Sequence, residues 1–140
     1  MRARALPEGV IWPSEDNKLS GLEAIIALRA AHPDVTAVVC NGDMVALGAS
    51  LGLGRLGLTP GVDVSIIGFD DIQDAAVATP PLTTMAVHPH KLGRKLARIL
   101  LDRIEEPEMP PIVSEISAEL TIRATTGPVA GPEGKPDISA

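Results

Sequence analysis

Two near-continuous apolar runs, residues 36–40 (TAVVC) and 64–68 (VSIIG), sit among stretches of helical periodicity, and this alternation constrains the fold more than any other feature of the chain. A strand covered on both faces reads as such a continuous run, whereas a strand with one wet face alternates. Ahead of the first run, Leu19, Leu22, Ile25, Ile26 and Ala30 recur at helical spacing over residues 18–32, and Pro33 stops the pattern. Asn41-Gly42-Asp43 then supplies a turn and a helix start. Met44, Leu47 and Leu51 make a second stripe that ends near Gly57, and Thr59-Pro60-Gly61 is a loop. Residues 72–78 have room for one or two helical turns before Pro80-Pro81, and residues 82–87 look extended. The strongest helical pattern spans residues 89–106, with Leu92, Leu96, Ile99, Leu100 and Ile104 on one stripe and Lys91, Arg94, Lys95, Arg98 and Arg103 off it. Residues 112–122 alternate and read as a further strand. The order strand, helix, strand, helix, strand predicts an α/β fold with a parallel sheet flanked by helices.

Composition narrows what such a fold can do. The 140 residues make one domain or a piece of a larger one, and a hydrophobic fraction of 45% supports a real core. Only Trp12 and Phe69 are aromatic, so that core is aliphatic. Twelve basic against eighteen acidic residues give a net charge of −6, with no basic stripe to neutralise phosphates, so the polypeptide by itself is not expected to hold DNA. No membrane association is expected either, since the apolar runs are too short to cross a bilayer. Cys40 is alone, which excludes a disulfide framework and a thiolate metal cluster. Residues 1–6 lack the apolar stretch of a signal peptide, and a cytoplasmic location is the expectation.

In parallel sheets, ligands sit beyond the carboxyl ends of the strands. Two loops qualify, Asn41 to Asp43 and Phe69 to Asp71, and both carry carboxylates, which points to a small polar ligand. Asp70 is the leading candidate contact, with Asp71 read as structural. Asp43 is read as a helix N-cap that also faces the ligand, with Asn41 beside it. Trp12 has two readings, stacking on a ligand ring or packing under the sheet edge. No nucleophile is placed beside a base, so no enzyme activity is expected, nor any cofactor or metal. Gly52, Gly54 and Gly57 match the spacing of a dinucleotide fingerprint, but they close a helical stripe instead of following a strand directly. His88 and His90 read as an exposed hinge, and Cys40 as a small buried hydrophobe.

The stretch TAVVCNGDMVALGASLGLGRLGLTPGVDVSIIGFDDI, followed by ATPPLTTMAVHPHKLGRKLARILL, resembles the C-terminal half of LacI/GalR repressors. The Asp-x-x-Ala-x-Gly helix start, the Gly-Phe-Asp-Asp strand end, the Pro-Pro-Leu-Thr-Thr crossover and the closing Glu119 to Pro128 fall in that family's order, over roughly residues 18–128. The resemblance implies the C-terminal lobe of a periplasmic-binding-protein-like fold with an incomplete N-terminal lobe, and a sugar or similar effector between the lobes. Asp70 would accept hydrogen bonds from effector hydroxyls, and Asp43 would sit beside the cleft. The family's Asn before that Asp falls on Gly42, with Asn41 one place earlier, and Val87 stands where some members place a ligand-touching Gln. The family pairs subunits near Leu47 and Leu51, which implies a homodimer, and reads DNA only through a helix-turn-helix domain that would precede Met1. On this basis residues 1–17 are an N-terminal extension, 18–126 the effector-binding and dimerisation region, and 127–140 a disordered tail. The resemblance also implies that the helix at 89–106 belongs to the missing lobe; its five large aliphatics, at about 1.5–3 kcal/mol each when buried, are then expected to dock elsewhere, to pair with another subunit or to leave an apolar patch. Two other expectations stay open: a solute-binding protein of a sugar transporter, and a truncated remnant without function.

Overall fold

A computed structural model describes residues 9–128 of the chain. Its elements run α1 (Lys18–Ala31), β1 (Ala37–Val39), α2 (Asp43–Arg55), β2 (Ser65–Asp70), α3 (Gln73–Val77), β3 (Thr83–Ala86), α4 (Pro89–Glu105) and β4 (Glu119–Thr121). The sheet order is β1-β2-β3-β4, with the first three strands parallel and β4 antiparallel to β3. The sheet is therefore parallel with one reversed edge. The chain leaves β3 at its carboxyl end, makes α4, and re-enters at that same end, where Glu119 pairs with Ala86, so the returning strand has to run backwards. Of the alternating stretch 112–122, only Glu119–Thr121 is a strand. Ile112, Val113 and Ile116 stay exposed and outside any strand.

The helix starts follow local chemistry. Asn17 caps α1, its Oδ1 accepting from the Ser20 amide at 2.8 Å. At the other end Arg29 donates to the Val35 carbonyl at 2.8 Å and so holds the turn into β1. Helices α1 and α2 lie together on one side of the sheet at a spacing set by glycines. A Cβ at Gly21 would strike the Val45 backbone, one at Gly48 the Lys18 carbonyl, and one at Gly52 Ile25 and the Leu22 carbonyl. Gly57, just past the end of α2, has φ +73°, a conformation glycine adopts without strain. The Gly52, Gly54, Gly57 pattern thus serves helix packing and a helix exit, not phosphate binding.

The core between these helices and the sheet is aliphatic, as expected, with Leu53, Val64, Ile66, Leu82, Ala46 and Ala75 essentially inaccessible. The chain end is stitched to it. Thr125 is fully buried: its hydroxyl donates to the Ile66 carbonyl at 2.8 Å and accepts from the Thr83 amide at 2.9 Å. The Gly127 amide donates to the Ser65 hydroxyl at 3.2 Å, and of the stretch expected as a disordered tail residues 129–140 lie outside the described residues.

Helix α4 stands apart from this core. It buries none of its residues, and Leu96, Leu100, Leu101 and Ile104 are all more than half exposed. The cover it has comes from the segment that follows it, where the Arg103 guanidinium donates to the Pro107 and Met109 carbonyls.

Candidate functional site

The loops after β1 and β2 meet at the carboxyl end of the parallel strands, and Asp43 is the knot between them. Its carboxylate is 1% exposed; Oδ1 accepts from the Thr84 hydroxyl of β3 at 2.5 Å, and Oδ2 accepts from the Ile72 amide at 2.9 Å. Asp43 also occupies the first turn of α2, where a negative charge complements the helix dipole. Asp43, expected as the N-cap, is instead the first residue of α2: the cap position is Gly42, with no side-chain bond, and each Asp43 oxygen accepts a hydrogen bond inside the protein. Room for it comes from Gly68, where a Cβ would strike Asp43 Oδ1.

Beyond β2 the backbone takes two unusual residues in succession, Asp70 at φ 113° and Asp71 at φ 56°. Non-glycine residues in this region cost on the order of 1–3 kcal/mol each and persist only when the surroundings impose them. Here the constraints are visible. The Ile72 amide is held by Asp43, and the Asp71 carboxylate accepts from Arg123 at 2.7 Å, while Arg123 also donates to the Leu82 carbonyl at 2.8 Å. Asp71 is thus structural. Asp70 is left exposed at the mouth, without an internal partner among the described residues. Partial burial, then repulsion from the Asp43 and Asp16 carboxylates, raises its pKa above the ordinary carboxylate value.

The predicted site residues do not all converge. Asn41 is exposed and lines, with Trp12, a depression of about 370 Å³ at the β1 edge. Trp12 sits there edge-on to His32, with ring centroids 6.1 Å apart. Asp70 lies instead on the side of Gly42 that faces Asp16, a residue of the expected N-terminal extension just before α1. The signal that would have found Asp16 is the glycine pattern. Gly21 against Val45 and Gly48 against Lys18 lock the starts of α1 and α2 side by side, which brings the residues just before each start together.

Little here can do covalent chemistry. Burial, then the Asp43 charge, pushes the Cys40 thiol up to about 11, so at neutral pH it is not a thiolate nucleophile. Among the described residues no three His, Cys, Asp or Glu side chains group as metal ligands, and no helix is long and apolar enough to cross a membrane. The arrangement can accept hydrogen bonds from a ligand.

Leu47 and Leu51 also separate. Leu47 is 7% exposed and belongs to the core of its own chain, whereas Leu51 is 59% exposed beside Val77 at 73%. Leu47 is mostly covered before any partner arrives, because α2 turns that side of its stripe inwards.

The profile of the periplasmic binding protein-like domain matches residues 2–126. The HTH-type transcriptional regulator MalR of Streptomyces coelicolor is 40% identical over 103 residues, 74% of this chain and 30% of that protein. The HTH-type transcriptional repressor PurR of Pasteurella multocida is 38% identical over 116 residues, 83% of this chain and 33% of that one. The chain thus spans about a third of the length of these relatives. A LacI family transcriptional regulator from Enterococcus faecium, solved with bound ribose, superposes with a TM-score of 0.77 at 32% identity, over 85% of this chain and 44% of its own. The chain belongs to the periplasmic-binding-protein-like family, and within it corresponds to the effector-binding part of LacI/GalR-type transcriptional regulators.

Proposed function

We propose that this chain is the effector-binding lobe of a cytoplasmic regulator that senses a small polar metabolite, a sugar or similar, at the mouth where Asp70 faces Gly42. The observation that carries this reading is the division of labour among carboxylates: Asp43 and Asp71 are consumed internally, and together they hold Asp70 in a strained backbone with its oxygens free. The similarity to a ribose-bound regulator supports the ligand class. Helix α4 and the segment after it belong, in this reading, to the second lobe of a two-lobed cleft, whose remainder covers Leu96, Leu100, Leu101 and Ile104. DNA is contacted through a helix-turn-helix domain outside this chain, and the lobe catalyses nothing. The relatives are regulators, and no observation favours a transporter's solute-binding protein over that.

The test is thermal unfolding of the chain alone and with a panel of sugars and purines. One compound should raise the melt, by about 2.7 kcal/mol of stability at a concentration a hundredfold above its Kd. Asp70→Ala should abolish that rise while melting, without ligand, at the same temperature as the parent or slightly above it. An increase that survives Asp70→Ala would remove this residue from the site, and a melt indifferent to every compound would remove the function.

Two copies pair, we further propose, through the exposed Leu51 and Val77, which flank a depression of about 330 Å³ that also includes Lys18, Asp74 and Pro80. Sedimentation of Leu51→Asp should then show a shift to monomer of at least tenfold in the dimer Kd, since a charge would be buried at the interface without a partner. An unchanged profile would place the contact elsewhere.

A further inference from the structure

Gly42 is a glycine for a reason its backbone does not supply. Its φ of −158° and ψ of 162° are extended, a conformation any residue adopts. What is particular is the space in front of it: a Cβ there would lie 3.0 Å from Asp16 Oδ1 and 3.8 Å from Asp70 Oδ2. Two carboxylates, one from the lead-in to α1 and one from the end of β2, therefore face one small gap at the mouth already proposed as the effector site. Neither has a hydrogen-bond or ion-pair partner among the described residues. The cations on the adjoining segments are already engaged, Lys18 with Asp74 at 2.7 Å and Arg123 with Asp71 at 2.7 Å.

We propose that Gly42 and Asp16 set the charge selectivity of this site: the gap seats hydrogen-bond donors of an unphosphorylated sugar or amino sugar between Asp16 and Asp70, and refuses phosphorylated and carboxylated sugars. This rests on the effector-site reading above and adds the chemical class to it. An ionised carboxylate only accepts hydrogen bonds, so a ligand bridging the pair has to bring donors, as neighbouring hydroxyls or an ammonium do. An anionic group brought to the same place meets two uncompensated negative charges well within the Debye length of about 8 Å, so salt does not screen their repulsion away. The pKa of Asp70 is raised by partial burial first, and then by repulsion from Asp43 and, last, from Asp16. A side chain at residue 42 would fill the gap and push on the flexible end of Asp16, not on backbone, so the position tolerates substitution structurally while the donor seat is lost.

The full chain is titrated with glucose, galactose, mannose and ribose, each beside its amino and phosphate derivatives, and the Asp16 and Asp70 carboxyl carbons are followed by NMR. For any skeleton that binds, the neutral or amino form should bind on the order of tenfold or more tightly than the phosphate, and both carboxyl resonances should move. Gly42→Asn should keep the melting temperature and weaken that binding, and Asp16→Lys should narrow or reverse the preference against phosphate. A phosphate that binds as well as its parent sugar, or a charge preference untouched by Asp16→Lys, overturns the proposal while leaving an effector site in place. Absence of binding by every member, in every charge form, brings down the effector-site reading and this inference with it.

Discussion

An Asp43→Ala protein is expected to lose about 3 kcal/mol or more of folding stability, a large share of the roughly 5–15 kcal/mol that holds a domain together. Three contributions lead to that figure. The Thr84 hydroxyl, fully buried, loses the acceptor it reaches at 2.5 Å. The Ile72 amide loses the one at 2.9 Å. A buried donor left without an acceptor costs about 1–3 kcal/mol. The first turn of α2 also loses its carboxylate, worth about 0.3–1 kcal/mol. Urea unfolding followed by far-UV circular dichroism measures the sum. Asp43→Asn, which keeps one acceptor oxygen, should fall between alanine and the parent. Ligand binding should drop further than stability alone explains, because the Ile72 amide is one of the two ties that hold Asp70 and Asp71 at positive φ. If Asp43 were a ligand contact and nothing more, alanine would weaken binding and leave the urea midpoint where it was.

Asp43 also shows where the sequence stopped being informative. An Asp after Asn-Gly at the head of a helical stripe reads as an N-cap, because capping is the local use of such a residue. Its actual partners, Thr84 and Ile72, lie far along the chain, and only the parallel pairing of β1 with β2 and of β2 with β3 brings them within reach. The elements themselves were legible for the opposite reason. TAVVC, VSIIG and the Leu22–Ile25 stripe carry their periodicity within a few residues. The reversal of β4 was not legible, because it depends on the end of the sheet at which the chain re-enters after α4. Helix α4 had the clearest pattern of all, and that pattern foretold a helix correctly without saying what its apolar stripe meets. Asp16 was invisible for a third reason. Its role comes from two helix starts being brought level by glycines, and contact between two helices leaves only a faint mark in either one's sequence.

Those glycines give the second large effect, and its sign is opposite to the usual rule. Within a helix, Gly→Ala ordinarily stabilises by roughly 0.5–1 kcal/mol, since alanine loses less backbone freedom on folding. Gly54, on the exposed side of α2 with nothing within 4 Å of a built Cβ, should follow that rule. Gly48, six residues earlier in the same helix, should break it. A methyl group there meets the Lys18 carbonyl and lies 3.0 Å from the Leu22 amide nitrogen, and these are backbone atoms that can move only if α1 moves as a body. Overpacking of this kind costs about 1–3 kcal/mol, so Gly48→Ala should lower stability by about 2 kcal/mol against a gain of roughly 0.5–1 kcal/mol for Gly54→Ala. The two variants share chemistry, helix and composition, so their difference in urea midpoint isolates the close approach. Displacing α1 also carries Asp16 away from Gly42, so Gly48→Ala should weaken ligand binding as well, in a helix that never touches the ligand at that position. Equal and stabilising effects at both glycines would mean that α1 and α2 stand further apart than this packing requires, and the shared gap between Asp16 and Asp70 would go with it.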